Sequence, residues 1–277
     1  MYVADESSNS VVWKLPLNAT TATLVSGSQG SISSASDRFY YPQDVYADSL
    51  GNVYVTDYYN YRVQKFASGS STGTTIAGVT GSGSSALNRF NSVRHLYVEP
   101  TETYIYVTDY NNHRVMRYST SSSSGTNGVV VAGGNGGNYL NTTLYYPYGI
   151  HSMPSVSSDL FISNMNAHTI IRWTPGATSG YYVAGVSAVS GQSPVLLNSP
   201  AGVRVDSYLN LYVADSENHR IQLFCQNSQT GYTIAGTGVA GNSAIQLNGA
   251  RSITFDSAMN LYVSDTNNRR IQKFLRL

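Results

Sequence analysis

A five-residue run of apolar, aromatic, apolar, small and acidic positions recurs six times along the chain. It reads MYVAD at 1–5, VYVTD at 53–57, IYVTD at 105–109, LFISN at 160–164, LYVAD at 211–215 and LYVSD at 261–265, at intervals of 52, 52, 55, 51 and 50 residues. Alternation with period two over so short a run predicts a strand. Each anchor is followed by a polar turn and a second apolar run: VVWKL at 11–15, VQKF at 63–66, VMRY at 115–118, IIRW at 170–173, IQLF at 221–224 and IQKF at 271–274. These pairs predict hairpins. Five units continue into a third run ending near glycine (TLVSG, TTIAG, VVVAG, YYVAG, YTIAG) and a Gly/Ser/Asn-rich connection. A further run, as in PQDVYAD at 42–48 and PAGVRVD at 200–206, then returns through a turn such as Ser-Leu-Gly-Asn to the next anchor. Four short strands per repeat and no helical period predict repeated four-stranded antiparallel sheets.

One such sheet cannot bury both of its faces, whereas six set radially pack face to face and leave only short edges. The expectation is therefore an all-β chain, a six-bladed β-propeller forming one domain over 1–277. A linear β-solenoid fits less well, because its rungs are shorter and lack repeated antiparallel hairpins. The succession P-x-G-V-x-V-D, N-L-Y-V-x-D and N-H-R-I-Q-x-F, almost whole at 200–224, resembles the NHL repeat. Units 2, 3, 5 and 6 carry it closely and units 1 and 4 loosely. WD-type repeats would show Trp-Asp at a strand end and kelch repeats paired glycines. The first unit opens on its second strand and the last stops after its third, so the first and last blades are expected to be incomplete and the chain reads as a fragment of a longer one.

Composition narrows the function. Apolar residues are 41% of the chain, charged residues 11%, and the net charge is +1, so no global field draws in nucleic acid or an anionic membrane. No run approaches a membrane span, and no charged-then-apolar leader is present. The single cysteine, Cys225, leaves the fold to packing rather than disulfides.

The repeated polar residues read as structural. Asp57, Asp109, Asp215 and Asp265 close the anchor strand, and Arg62, Arg114, Arg220 and Arg270 follow five residues later, as expected for an acid at a hairpin turn paired with an arginine across it. Unit 4 has Asn164 and Thr169 instead and loses both charges together. His113, His168 and His219 fill the histidine slot of three units that Tyr61 and Arg269 fill in others, which suits turn packing better than a shared metal. Tyr54, Tyr106, Phe161, Tyr212 and Tyr262 read as core, and Phe39, Phe90, Leu144, Leu197 and Leu247 as plugs between blades.

Positions that vary between similar units are the place to look for a site. The leading residues of the first strand, expected at the mouth of a central channel, are Gln43 and Asp44, Arg94 and His95, Tyr148 and Gly149, Ala201 and Gly202, and Arg251 and Ser252. Of these, Gln43, Asp44, Arg94, His95, Tyr148 and Arg251 form the candidate ligand site, suited to an anionic or hydrogen-bonding group. A second candidate is an aromatic rim of Tyr58, Tyr59, Tyr61 and Tyr110 on the hairpin turns.

The resemblance implies a non-catalytic interaction module, and the expected partner is a protein, peptide or glycan, with nucleic acid disfavoured by the charge. The alternative is a metal-dependent lyase or lactone hydrolase of the six-bladed type. Only Asp44, His95 and His151 offer it a beginning, and no nucleophile elbow, phosphate loop or spaced cysteine pair suggests other chemistry. No catalytic residue, metal site or cofactor is read from the sequence, and the chain is expected to be monomeric. Sequons at Asn18 and Asn141, on a surface poor in lysine, favour an extracellular setting.

Overall fold

The structure, a computed structural model, describes residues 1–16, 19 and 21–276. Among these, the chain forms six antiparallel sheets in sequence order. Blade 1 holds β1 (Tyr2–Asp5), β2 (Val11–Lys14) and β3 (Thr23–Ser26). Blade 2 holds β4 (Pro42–Ala47), β5 (Val53–Asp57), β6 (Arg62–Phe66) and β7 (Gly73–Gly78). Blade 3 holds β8 (Val93–Val98), β9 (Tyr104–Asp109), β10 (Arg114–Ser119) and β11 (Val129–Gly133). In blade 4 are β12 (Pro147–Met153), β13 (Ser157–Asn164), β14 (Thr169–Trp173) and β15 (Tyr181–Ala184). Blade 5 follows with β16 (Pro200–Val205), β17 (Leu211–Asp215), β18 (Arg220–Phe224) and β19 (Gly231–Gly236). Blade 6 ends with β20 (Ala250–Phe255), β21 (Leu261–Asp265) and β22 (Arg270–Phe274). This is the six-bladed β-propeller expected from the repeat, with three strands in blades 1 and 6 where the sequence count left them short.

Two compact units divide the chain, residues 1–130 and 131–277. In the first, Val12, Phe39, Val55 and Phe66 pack blade 1 against blade 2, and Tyr54, Ile76, Phe90, Val107 and Met116 pack blade 2 against blade 3. In the second, Phe161, Ile170, Leu197, Val213 and Phe224 join blade 4 to blade 5, and Ala214, Ile221, Leu247 and Val263 join blade 5 to blade 6. The residues read as plugs are fully buried, Leu144 included. Each large side chain so buried contributes about 1.5–3 kcal/mol.

A polar network repeats beside these cores. Asp57 is fully buried; its Oδ1 accepts from Tyr40 N (2.7 Å), and its Oδ2 accepts from Asn60 Nδ2 (2.9 Å) and Arg62 Nε (2.8 Å). The remaining guanidinium nitrogens of Arg62 donate to the carbonyls of Ser34, Ala35 and Arg38, and Asn60 donates to Ser33 O. The pair therefore bridges the hairpin and also fixes the loop that leads into the blade. Blades 3, 5 and 6 repeat the arrangement with Asp109–Arg114 (2.7 Å), Asp215–Arg220 (2.8 Å) and Asp265–Arg270 (2.7 Å). In blade 4 the oxygen of Asn164 still accepts from Tyr145 N, while the loop is closed on itself by Thr143, whose hydroxyl donates to Asn138 Oδ1 (2.7 Å).

After the second strand of blades 2 to 6 comes a single 3-10 turn, which ends on a left-handed residue: Tyr61, His113, His168, His219 and Arg269, with φ between 52° and 58°. In the second unit the histidines in this slot act as acceptors, His168 Nδ1 from Ser199 N (3.1 Å) and His219 Nδ1 from Gly249 N (3.1 Å). They tie one blade's turn to the loop of the next, as the packing role requires. His151 Nδ1 likewise accepts from Val205 N (3.2 Å), joining β12 to β16. An accepting nitrogen carries no proton, so these bonds need neutral imidazoles. Burial holds the pKa of His168 below its ordinary value, and burial with the nearby charge of Arg204 holds that of His151 well below it.

Two outcomes are expected. Arg62→Thr leaves Asp57 buried and unpaired and costs about 3–5 kcal/mol. Adding Asp57→Asn, which reproduces the pair found in blade 4, recovers at least about 1 kcal/mol of that loss in urea titrations. For His151 and His168, the folded pKa lies below the unfolded value of about 6.5, so their stabilisation is complete above that pH and is lost as pH falls beneath it. Thermal melts between pH 7.5 and 5.5 check this, and His151→Gln, which keeps an acceptor but does not titrate there, flattens the decline.

Candidate functional site

The variable positions share a structural cause. In blades 2 to 6 the pairing of first and second strands slips between Pro42 and Val45, Val93 and Leu96, Pro147 and Ile150, Pro200 and Val203, and Ala250 and Ile253. Residues 43–44, 94–95, 148–149, 201–202 and 251–252 are the ones inside these bulges. A bulge removes residues from the ladder and re-aims their side chains. The freed amides find hydroxyls on the second strand: Asp44 N donates to Thr56 Oγ1 (2.9 Å), His95 N to Thr108 Oγ1 (2.8 Å) and Ser252 N to Ser264 Oγ (2.6 Å). With the backbone satisfied this way, the side chains are free to differ from blade to blade.

In the first unit four of the candidate residues come together in two layers. The outer layer is a chain of contacts in which Gln43 Nε2 donates to Glu6 Oε2 (2.7 Å) and Arg94 Nη1 donates to Gln43 Oε1 (2.5 Å). The Arg94 guanidinium carbon lies over the rings of Tyr58 (4.2 Å) and Tyr110 (4.8 Å), a double cation–π contact. Beneath it, His95 Nδ1 stands 3.6 Å from Asp44 Oδ2, and His95 is only 2% exposed. Both carboxylate oxygens of Asp44 accept backbone amides, Oδ1 from Val45 N (2.9 Å) and Oδ2 from Leu96 N (3.1 Å), which binds β4 to β8.

Beside this cluster stand four tyrosines. Tyr58 N donates to Tyr41 O (3.4 Å) and Tyr59 N to Tyr40 O (3.2 Å), so the turn and the incoming loop are held side by side. The rings meet at 4.7 Å for Tyr58–Tyr59, 4.8 Å for Tyr40–Tyr59, 5.5 Å for Tyr40–Tyr41 and 5.6 Å for Tyr41–Tyr59. Tyr59 is 46% exposed and Tyr40 39%. Tyr61 stands elsewhere, its ring packed on the core between blades 2 and 3. Sequence reasoning missed Tyr40, Tyr41 and Glu6. A signal existed, since Tyr-Tyr at 40–41, matched only by Tyr-Tyr at 145–146 in blade 4, occupies the place of Asn-Ser at 91–92 and 198–199 and Asn-Gly at 248–249.

Tyr148 and Arg251 belong to the second unit, on β12 and β20 with β16 between them. Tyr148 is buried, at 4% exposure, and Arg251 is half-buried. Their strands run close to β16 because Gly149 and Gly202 lack side chains; a Cβ on Gly149 would meet Ala201 O at 2.3 Å. Among the described residues no three His, Cys, Asp or Glu side chains gather as a metal-binding group, and no helix is long and apolar enough to cross a membrane. Asn141 lies on an exposed turn with its Nδ2 donating to Gly180 O (3.2 Å), and Asn18 lies outside the described residues.

The NHL repeat family matches residues 39–66 and 197–224. None of the curated proteins matches the chain as a sequence. Among solved structures, the chain is similar to an auxiliary nutrient binding protein from Bacteroides thetaiotaomicron, with 17% identity and a TM-score of 0.71 over 98% of this chain and 65% of that one. It thus spans less than two thirds of that protein's length. A chain of a nidogen/laminin complex is similar at 17% identity and a TM-score of 0.66, over 94% of this chain and 84% of that one. A gluconolactonase from Xanthomonas campestris follows at 16% identity and a TM-score of 0.62, over 92% of this chain and 76% of that one. At such identities the likeness is one of fold. The chain is a six-bladed β-propeller, and two of its repeats, in blades 2 and 5, match the NHL repeat.

Proposed function

We propose that this propeller is a non-catalytic binding scaffold for a protein, peptide or glycan. Its contact surface lies in the first unit, where Gln43, Asp44, Arg94 and His95 gather beside Tyr58, Tyr59 and Tyr110; Tyr148 and Arg251 are a separate candidate in the second unit. The observation that carries this reading is the fixing of Arg94 by Gln43, Tyr58 and Tyr110. A guanidinium held on three sides has little rotamer freedom left to lose when a ligand arrives, and pre-organisation of this kind favours affinity.

The use made of Asp44 and His95 supports binding over catalysis. Asp44 accepts a backbone amide at each oxygen and His95 is almost fully enclosed, so both side chains are engaged in joining the blades. The fold neighbours include a nutrient-binding protein and a partner in a laminin complex, which is in keeping with a scaffold. The gluconolactonase among them is what keeps a metal-dependent hydrolase as the second reading.

Native mass spectrometry with elemental analysis separates the two readings, on protein purified without chelators and then incubated with calcium or zinc. The expected outcome is no stoichiometric cation, and hydrolysis of gluconolactone no faster than the spontaneous rate. One cation per chain, lost in Asp44→Ala and accompanied by lactone turnover, would overturn the scaffold reading.

A further inference from the structure

We infer that the tyrosine cluster of blade 2 is a docking surface for a proline-rich peptide in the polyproline II conformation. The inference rests on the scaffold reading above and names the chemistry of its partner.

The backbone of Tyr41 is the first indication. It has φ +59°, in the left-handed region that bulky side chains avoid; the equivalent residue of blade 4 is also a tyrosine, Tyr146 at +55°, and those of blades 3, 5 and 6 are Ser92, Ser199 and Gly249 at +69°, +50° and +66°. Three of these blades place a small residue here, and blades 2 and 4 place a tyrosine. In blade 2 the strained tyrosine stands in an exposed cluster of four rings, which points to a use for the side chain.

Ring geometry selects among ligands. Tyr58 and Tyr59 stand at 85° to one another, and Tyr41 and Tyr59 at 74°. Rings set edge to face leave notches between them rather than one flat table. A pyranose stacks on an open ring face, whereas proline rings of a left-handed threefold helix seat in the notches of aromatic-lined grooves. Hydrogen-bonding groups agree with this. The hydroxyls of Tyr40, Tyr41 and Tyr59 make no hydrogen bond among the described residues, so three phenols stand ready to donate. Proline-rich chain offers carbonyl acceptors and few amide donors. Charges around the cluster balance, Glu6 against Arg94 and Asp37 against Arg38 (3.8 Å), which favours an uncharged ligand over nucleic acid or an acidic peptide.

Fluorescein-labelled decaproline, titrated against the whole chain by anisotropy, tests the inference. A glycine-serine decapeptide and a neutral maltohexaose serve as competitors. Saturable decaproline binding is expected, weakened about tenfold by Tyr59→Ala and by Tyr40→Ala, as loss of one anchoring aromatic does. Tyr208→Ala, removing an exposed ring of blade 5, should leave it unchanged, and melting temperatures of all three variants should stay at the wild-type value. Absence of saturable binding at millimolar decaproline, or affinity unmoved in Tyr40→Ala and Tyr59→Ala, overturns the inference. Maltohexaose binding that is lost in Tyr59→Ala overturns the peptide chemistry while upholding the scaffold. A stoichiometric cation with lactone turnover would remove the scaffold itself.

Discussion

The buried aspartate–arginine pair is the interaction on which the rest of the architecture turns. A carboxylate and a guanidinium withdrawn from water gain little net stability over a hydrophobic pair of the same size, because desolvation offsets their attraction. What they impose is geometry. Asp57 has room for three donors and receives them from Tyr40, Asn60 and Arg62, and Arg62 spends its remaining nitrogens on carbonyls of the incoming loop. The hairpin, the turn and the loop are thus held in one arrangement, since any slip would strand a buried charge. Repetition of that network in blades 3, 5 and 6 sets the path of four loops, and the cores between blades fill in behind it.

Blade 4 is informative as the exception. The acid and the arginine are both absent, replaced by Asn164 and Thr169, and the loop closes on its own Thr143 and Asn138. Loss of one partner alone would leave an uncompensated charge in the interior; loss of both is tolerated because the amide of Asn164 still accepts from Tyr145 N. The coupling argues that the pair is a structural unit rather than a ring of ligand-facing charges.

Much of this was legible in the sequence for a physical reason. Residues that pair across a hairpin or alternate along a strand lie at short, fixed spacings, so Asp57 with Arg62, the YVxD anchors and the plugs at Phe39, Phe90, Leu197 and Leu247 announce themselves by recurrence. The carboxylate of Asp48 was less visible. It collects Leu50 N, Asn52 N, Asn52 Nδ2 and Tyr54 Oη into the turn between first and second strands, and Asp206 and Asp256 do the same in blades 5 and 6. The candidate site was legible only in part. Gln43 and Arg94 are 51 residues apart, and no local rule says that a side chain of one strand will meet its counterpart on the next blade. Tyr61 misled for the opposite reason, since its neighbours in sequence, Tyr58 and Tyr59, face outward while the left-handed turn between them swings its ring into the core.

The bulge explains why variation and function fall in the same place. A residue in a regular ladder has its side-chain direction set by the pleat and its amide committed to the neighbouring strand, so most substitutions are felt by the core. In blades 2, 3 and 6 the bulge at the head of the first strand escapes this, because Thr56, Thr108 and Ser264 take over the amides of Asp44, His95 and Ser252 from the side. Those bulges accordingly carry Gln43, Arg94 and Arg251, whereas in blades 4 and 5 the close approach of the strands requires Gly149 and Gly202. A repeat protein that binds something must place its differences where they do not disturb its sameness, and the bulge is that place in this chain. In blade 2 the loop at Tyr40 and Tyr41 lies alongside, and backbone bonds from Tyr58 and Tyr59 fasten the two together. The result is one continuous surface, running from Tyr40 through Tyr59 and Tyr58 to Arg94 and Tyr110.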